Sequence, residues 1–582
     1  MPDNSLRSLI DTAAGRRRAD LVLKNGHIVN VLSHEIHEGD VAILGDKIAG
    51  IGQFEGERTV DLKGRYVCPG LIDAHVHIES SLLSVPEFAR VVVPHGTTAV
   101  IADPHEFANV MGTEGISFVL RTAKYAAIDV YVMLSSSIPA SPLESAGTEL
   151  NAEDLAPFLG NSWVLGLAEV MNYPAVIAGR EEVLRKIQMS QNRIIDGHAP
   201  SLSGRDLAAY AAAGIMSDHE CITADEAAEK LRLGLHIMIR EGSQARNLRA
   251  LLPLVTPSTA DRFMFCTDDK NVQDLLAEGQ IDHMLRLAIA QGMDPILAVR
   301  LATYNAARYF GLAHVGAILP GYRADVTVFD NLTRDGRVTQ VYRRGQLVAE
   351  DGRCIIPKHV KEDTTSLRSS IDTHWLEPHD FVIASPDGRG DGNPPSIHVI
   401  HLMPDRIDTG RTIERASVHD GQLIADPGRD LAKVVVVERH RASGEIGRGF
   451  VRGFRLQGGA IASSVAHDAH NLIAVGMNDE DMLAAAIRII KLHGGFVAVR
   501  DGRILAEVPL PIAGLVSNEP AEQVNAQLSR ATAAVHEMGC PLEAPFMAMS
   551  FLSLSVIGKL KLTNQGLVDV ENFRLIPLIT DA

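Results

Sequence analysis

Eight apolar runs, near 66–75, 97–103, 129–136, 164–170, 193–198, 214–219, 236–241 and 262–268, are each followed by a stretch with helical patterning, such as 204–213, 224–233 and 272–291. Strands that alternate with helices must pair in parallel and bury both faces, so their residues read as unbroken apolar runs. Eight such units over about 240 residues predict an α/β fold built on a (β/α)8 barrel. In that architecture chemistry gathers where the strands end at their C-termini.

The flanks have a different texture. Short apolar runs at 21–26, 41–46 and 47–52, punctuated by Asn25-Gly26 and Gly45-Asp46, read as hairpins. Similar runs return at 324–329 and 340–348, so a small β domain split by the barrel is expected. The predicted organisation is an arm and first β part over 1–68, the barrel over 69–312, the second β part over 313–357, and a C-terminal α+β domain over 358–582. The last is set off by the polar segment 358–370 and a Gly/Pro/Asp-rich run at 385–395, with strands near 397–403, 434–438 and 496–500 and helices near 479–493 and 520–537.

A formal charge of −17 excludes binding of nucleic acid by phosphate neutralisation; the basic Arg16-Arg17-Arg18 is local and reads as a solvated helix end. Five scattered cysteines without a Cys-x-x-Cys pair read as buried free thiols of a reducing compartment. No run approaches the roughly 18 apolar residues of a membrane span. A cytoplasmic enzyme that engages neither nucleic acid nor membrane is expected.

The predicted strand ends carry a pattern. The first ends in His75-Val76-His77, whose imidazoles share one face of a strand. The fourth ends in Glu169, the fifth in His198, the sixth in His219 and the eighth in Asp268. A lone His-x-His pair is often a surface accident, but four imidazoles and two carboxylates on one rim suffice for two divalent cations bridged by a carboxylate.

This pattern resembles the amidohydrolase superfamily over roughly 20–357. The runs 96–106, 217–220 (Ser-Asp-His-Glu), 266–269 (Cys-Thr-Asp-Asp) and 463–471 (Ser-Ser-Val-Ala-His-Asp-Ala-His-Asn) are similar to bacterial adenine deaminases. The resemblance implies a metal-dependent hydrolase that converts adenine to hypoxanthine and ammonia with a hydroxide held between two cations. It implies that His75, His77 and Asp268 hold one cation, His198 and His219 the other, with Glu169 as bridge and Asp268 as proton shuttle. No lysine ends the fourth strand, so no carboxylated lysine is needed. Imidazole and carboxylate donors suit Mn²⁺ or Fe²⁺, with Zn²⁺ as the alternative. With a single cation bound, His219 would instead orient the hydroxide. The expected partners are a purine base and further copies of the chain in a homo-oligomer, most simply a dimer.

Other residues stay open at this level. Asp103, His105 and Glu106 either bind the purine or a further metal, or Asp103 caps a helix. Arg240-Glu241 either forms a structural ion pair or lines the pocket. Glu220 and Asp269 serve substrate or support the ligands. His467 and Asp468, in His467-Asp468-Ala469-His470, either close over the site or form a polar turn, while 547–552 reads as core. Rival functions are hydrolysis of a cyclic amide or imide, deamination of cytosine or guanine, and a catalytically dead scaffold. The cytidine-deaminase zinc signature, His-x-Glu with Pro-Cys-x-x-Cys, does not occur.

Overall fold

The eight runs form parallel strands: β1 (Leu71–Val76), β2 (Thr97–Ala102), β3 (Asp129–Leu134), β4 (Val164–Val170), β5 (Ile194–Gly197), β6 (Ser217–Asp218), β7 (His236–Arg240) and β8 (Phe263–Cys266). They come from a computed structural model that describes residues 6–356, 364, 367, 370–386, 394–403, 406 and 408–580. β1 to β5 make one sheet and β6 to β8 another. At one joint the Met216 N–H donates to the Ile195 carbonyl at 2.9 Å. At the other, the Asp268 N–H donates to the His75 carbonyl at 2.9 Å and the His77 N–H to the Asp268 carbonyl at 3.3 Å. Gly197 permits the first joint, because a Cβ there would lie 2.3 Å from the Ser217 carbonyl oxygen. Ile72, Ala74, Ala99, Ile101, Met238 and Met264 fill the space between the strands. Neighbours such as Val100, Val130 and Val132 face the helices outside, so both faces are apolar.

The first run, 66–75, is two strands. Tyr66–Pro69 pairs antiparallel with Val326–Phe329 in a nine-stranded sheet that also contains Ala19–Asn30, Glu35–Leu44 and Val338–Arg343. The chain breaks at Gly70, where a Cβ would lie 2.1 Å from Thr98 Oγ1. The helical stretch 272–291 is likewise two helices, Val272–Ala277 and Ile281–Ala290, with Gly279 at φ +98° between them. The N-terminal helix ends at Ala13, ahead of the exposed arginines at 16–18. The expected boundary at 357–358 lies outside the described residues, as do 387–393 of the Gly/Pro-rich run.

The C-terminal residues form a second nine-stranded sheet. The helix Asp479–Leu492 starts at Asn478, whose side chain accepts the Asp481 N–H at 2.7 Å. It buries Met482, Ala485 and Ile489 against Val435, Val437 and Val497 of that sheet. The helix Ala521–Glu537 buries Val524, Leu528 and Val535 in a core shared with Phe88, Val91 and Val92, from the helix after β1. Its Ala521 N–H donates to Glu87 Oε1 at 2.7 Å. This shared apolar core seats the loop 464–471 and the short helical segment 544–557 over the C-terminal ends of the strands.

Behind β5 and β6 the fully buried Lys230 reaches Asp218 Oδ2 at 3.0 Å and the Ala199 carbonyl at 2.7 Å, tying together the loops that carry His198 and His219. Burial pushes the Asp218 carboxyl up, and the Lys230 charge more than offsets this, holding it down to about 2. A folded value below the unfolded one of about 3.9 gives stability present above that pH and lost as pH falls towards 2. Lys230→Met is expected to cost about 3–5 kcal/mol in urea unfolding at neutral pH, because it strands a buried carboxylate. The deficit should narrow as pH is lowered towards 3; an unchanged midpoint would remove Lys230 from this role.

Candidate metal centre

The side chains at the strand ends converge. His75 Nε2 and His77 Nε2 are 3.1 Å apart, and Asp268 Oδ1 lies 3.4 Å from the first and 3.1 Å from the second. Glu169 stands between two groups of imidazoles. Its Oε1 is 3.2 Å from His77 Nε2, and its Oε2 is 2.7 Å from His198 Nδ1 and 3.2 Å from His219 Nε2. All six residues are buried. The local folding explains the aim of each. His75 and His77 alternate out of β1 on one side. Asp268, at φ +57°, turns the chain back so that its amide bonds to the His75 carbonyl while its carboxylate faces both imidazoles.

Two features identify donors suited to a cation. His77 Nδ1–H donates to the Asp103 carbonyl at 3.1 Å, which leaves Nε2 as the nitrogen that faces Glu169 Oε1 and Asp268 Oδ1. One imidazole nitrogen and two carboxylate oxygens converging at this distance are donors suited to a cation. The Arg240 guanidinium donates to Asp268 Oδ2 at 2.8 Å, so Oδ1 stays free. Three triads, His75/His77/Asp268, His75/Glu169/His219 and His198/His219/Glu220, have the proximity a metal ion requires.

The residues left open resolve differently. Asp103 does not cap the helix His105–Met111; its carboxylate accepts from Ser135 Oγ at 2.8 Å and faces His105 Nδ1 at 3.2 Å. Arg240 pairs with Glu220 as well as Asp268, inside the site, whereas Glu241 accepts the Leu248 N–H at 3.3 Å. Asp269 accepts from Ser80 Oγ. His467 and Asp468 come from the C-terminal sheet yet reach the rim, where His467 Nδ1 is 2.6 Å from Glu106 Oε1. His470 Nε2 contacts the other oxygen of Glu106.

His77, Glu169, His198, His219, Asp268 and Asp269 line one cavity. Its apolar wall is Phe551, Leu554, Val556 and Ile557, and Gln244 adds a polar group. Phe551, from the run expected to be core, stacks on His467 with ring centroids 4.6 Å apart. An apolar run carries no mark that tells a pocket wall from a core, so none of the four was visible in the sequence.

Residues 66–348 match the model of the amidohydrolase family, and residues 406–574 match that of the adenine deaminase C-terminal domain. A protein of Desulfatibacillum aliphaticivorans named adenine deaminase is 47% identical over 572 residues, which cover 98% of this chain and 99% of that protein. One of Geobacillus kaustophilus with the same name is 46% identical over 580 residues, 99% of each chain. This chain belongs to the adenine deaminase family.

The buried carboxylates of this family member are kept ionised by the imidazoles and the guanidinium around them. Burial pushes Glu169 up, but contacts with His105, His198, His219 and His77 hold it well below the usual carboxylate range. Burial lowers His219, yet Glu169 and then Asp268 and Glu220 bring it up to about 9. For Asp268, burial is outweighed by Arg240 first and His75 and His77 next, so the carboxyl stays well below its ordinary value. Removing that guanidinium raises the Asp268 pKa. Arg240→Met is therefore expected to move the acid limb of the kcat/KM pH profile to higher pH; a limb that does not move would show that Arg240 leaves Asp268 unaffected.

Proposed function

We propose that this chain hydrolyses adenine to hypoxanthine and ammonia at a pair of divalent cations. The single observation that carries the reading is Glu169, whose two oxygens face separate imidazole groups, His75 with His77 and His198 with His219. In this reading the eight strands act as one closed (β/α)8 barrel, flanked by a split β domain and covered by the C-terminal α+β domain. The names of the relatives supply the substrate, and the pocket agrees with it. Apolar side chains on the C-terminal side suit the faces of a flat base, and Gln244, Asp269 and Glu220 suit its edge.

His75, His77 and Asp268 would hold one cation, His198 and His219 the other, with Glu169 shared. Bound divalent cations supply a water ionised at neutral pH. Asp268 would take one water proton at Oδ1 while Arg240 fixes Oδ2, and pass it to the ring nitrogen as oxygen adds to the carbon bearing the amino group. The proton of the added hydroxyl would then move to the amine, and the carbon–nitrogen bond would break to give a carbonyl and ammonia. Glu220 keeps Arg240 in place. The loops of the C-terminal domain, through Phe551 and Leu554, exclude bulk water. Mn²⁺ or Fe²⁺ suits donors without thiolate, as does Zn²⁺. Five cysteines without a disulfide fit a reducing, cytoplasmic setting.

A substrate that carries a carboxylate is disfavoured, because Arg240, the arginine that lines the cavity, already pairs with Glu220 and Asp268. Chain loaded with Mn²⁺ or Fe²⁺ is expected to release ammonia from adenine when offered adenine, adenosine, cytosine, guanine and dihydroorotate in turn. Turnover of dihydroorotate with adenine inert would defeat the assignment. Glu169→Gln is expected to weaken retention of at least one cation, read as metal content after desalting, with at least a tenfold lower rate.

A further inference from the structure

We infer that a third divalent cation binds beside the pair, held by His105 Nε2 and Glu106 Oε1 from the start of the helix after β2 and by His467 Nδ1 and the Asp468 carboxylate from the C-terminal domain. His467 Nδ1 is 2.6 Å and His105 Nε2 3.4 Å from Glu106 Oε1; Asp468 Oδ1 lies 3.8 Å from each imidazole nitrogen. All four residues are more than nine-tenths buried. His105 Nε2, Glu106 Oε1 and Asp468 Oδ2 have no hydrogen-bond partner. Buried polar atoms without partners are costly, and three in one cluster mark a missing ligand.

The surrounding bonds determine which atoms are free to ligate. His105 Nδ1 faces Asp103 Oδ2 at 3.2 Å, so its proton is there and Nε2 presents a lone pair to two carboxylates. This is the carboxylate–histidine arrangement that supports a metal ligand. His470 is a neighbour with a different role. Its Nδ1 accepts the Ala466 N–H at 3.1 Å, which places the ring proton on Nε2. That proton is donated to Glu106 Oε2. Binding a cation through Nε2 would require that proton to move to Nδ1, against the amide. His470 therefore orients Glu106 from behind and leaves Oε1 for the ion. Two imidazoles and two carboxylates suit Mn²⁺, Fe²⁺ or Zn²⁺. A cation at this position cross-links the C-terminal domain to the barrel at the mouth of the active-site cavity.

The test uses the full chain, stripped with a chelator, reloaded with excess Mn²⁺ and desalted, with manganese counted per chain by mass spectrometry. The wild type is expected to keep one more manganese than the pair accounts for. His467→Ala and Asp468→Asn should each lose one equivalent, whereas a chain with both His75→Ala and His77→Ala should lose ions of the pair and keep the third. Wild-type crystals should show manganese anomalous density between His105 and His467, a readout that does not depend on any variant folding. Two manganese per wild-type chain with no density there would overturn the third site and leave the pair intact. Loss of the pair alone in the histidine variant would keep the two proposals separate.

Discussion

The structure depends on concentrated negative charge that cannot be left alone in a buried place. Glu169, Asp268, Glu220, Glu106 and Asp468 line one cavity, nearly out of contact with water, with Asp103 buried behind His105. Bare carboxylates at such burial would take up protons or drive the site apart. Arg240 neutralises part of the excess and the imidazoles another part. The proposed cations would complete that balance.

The support around the pocket follows from the same requirement. Neighbouring groups fix the candidate donors: Arg240 commits one oxygen of Asp268, the Asp103 carbonyl commits one nitrogen of His77, and Lys230 ties together the loops behind His198 and His219. Each removes a choice of tautomer, rotamer or loop position. A donor set oriented in advance loses less entropy on binding, so in the proposed reading these bonds would act on affinity through atoms that never touch the ion.

The C-terminal domain is part of the site rather than an appendage. The helix Ala521–Glu537 shares its apolar core with the helix Val85–Val92. That packing holds the loop 464–471 and the helical segment 544–557 over the strand ends. Phe551 covers His467, and His470 secures Glu106. One side of the cavity wall, formed by His467, Asp468, Phe551, Leu554, Val556 and Ile557, is thus delivered by residues more than 300 positions away from His75 and His77.

The sequence by itself determined the eight-strand alternation and the six strand-end donors, because both are local. Burial on two faces produces unbroken apolar runs, and a donor at the end of such a run must lie on the common rim. Gly70 and Gly279 show the limit: each breaks a run that patterning alone reads as continuous, one through a close approach to Thr98 and the other through a backbone turn. Only the tertiary structure decided that Asp103 supports His105 instead of capping a helix, that Arg240 belongs to the pocket, and that Phe551 forms a wall. Which tautomer His105 and His470 adopt, and so which of them has a lone pair to offer, was likewise decided there. These outcomes turn on which distant group arrives within about 3 Å of a given atom, and no periodicity along the chain encodes that distance.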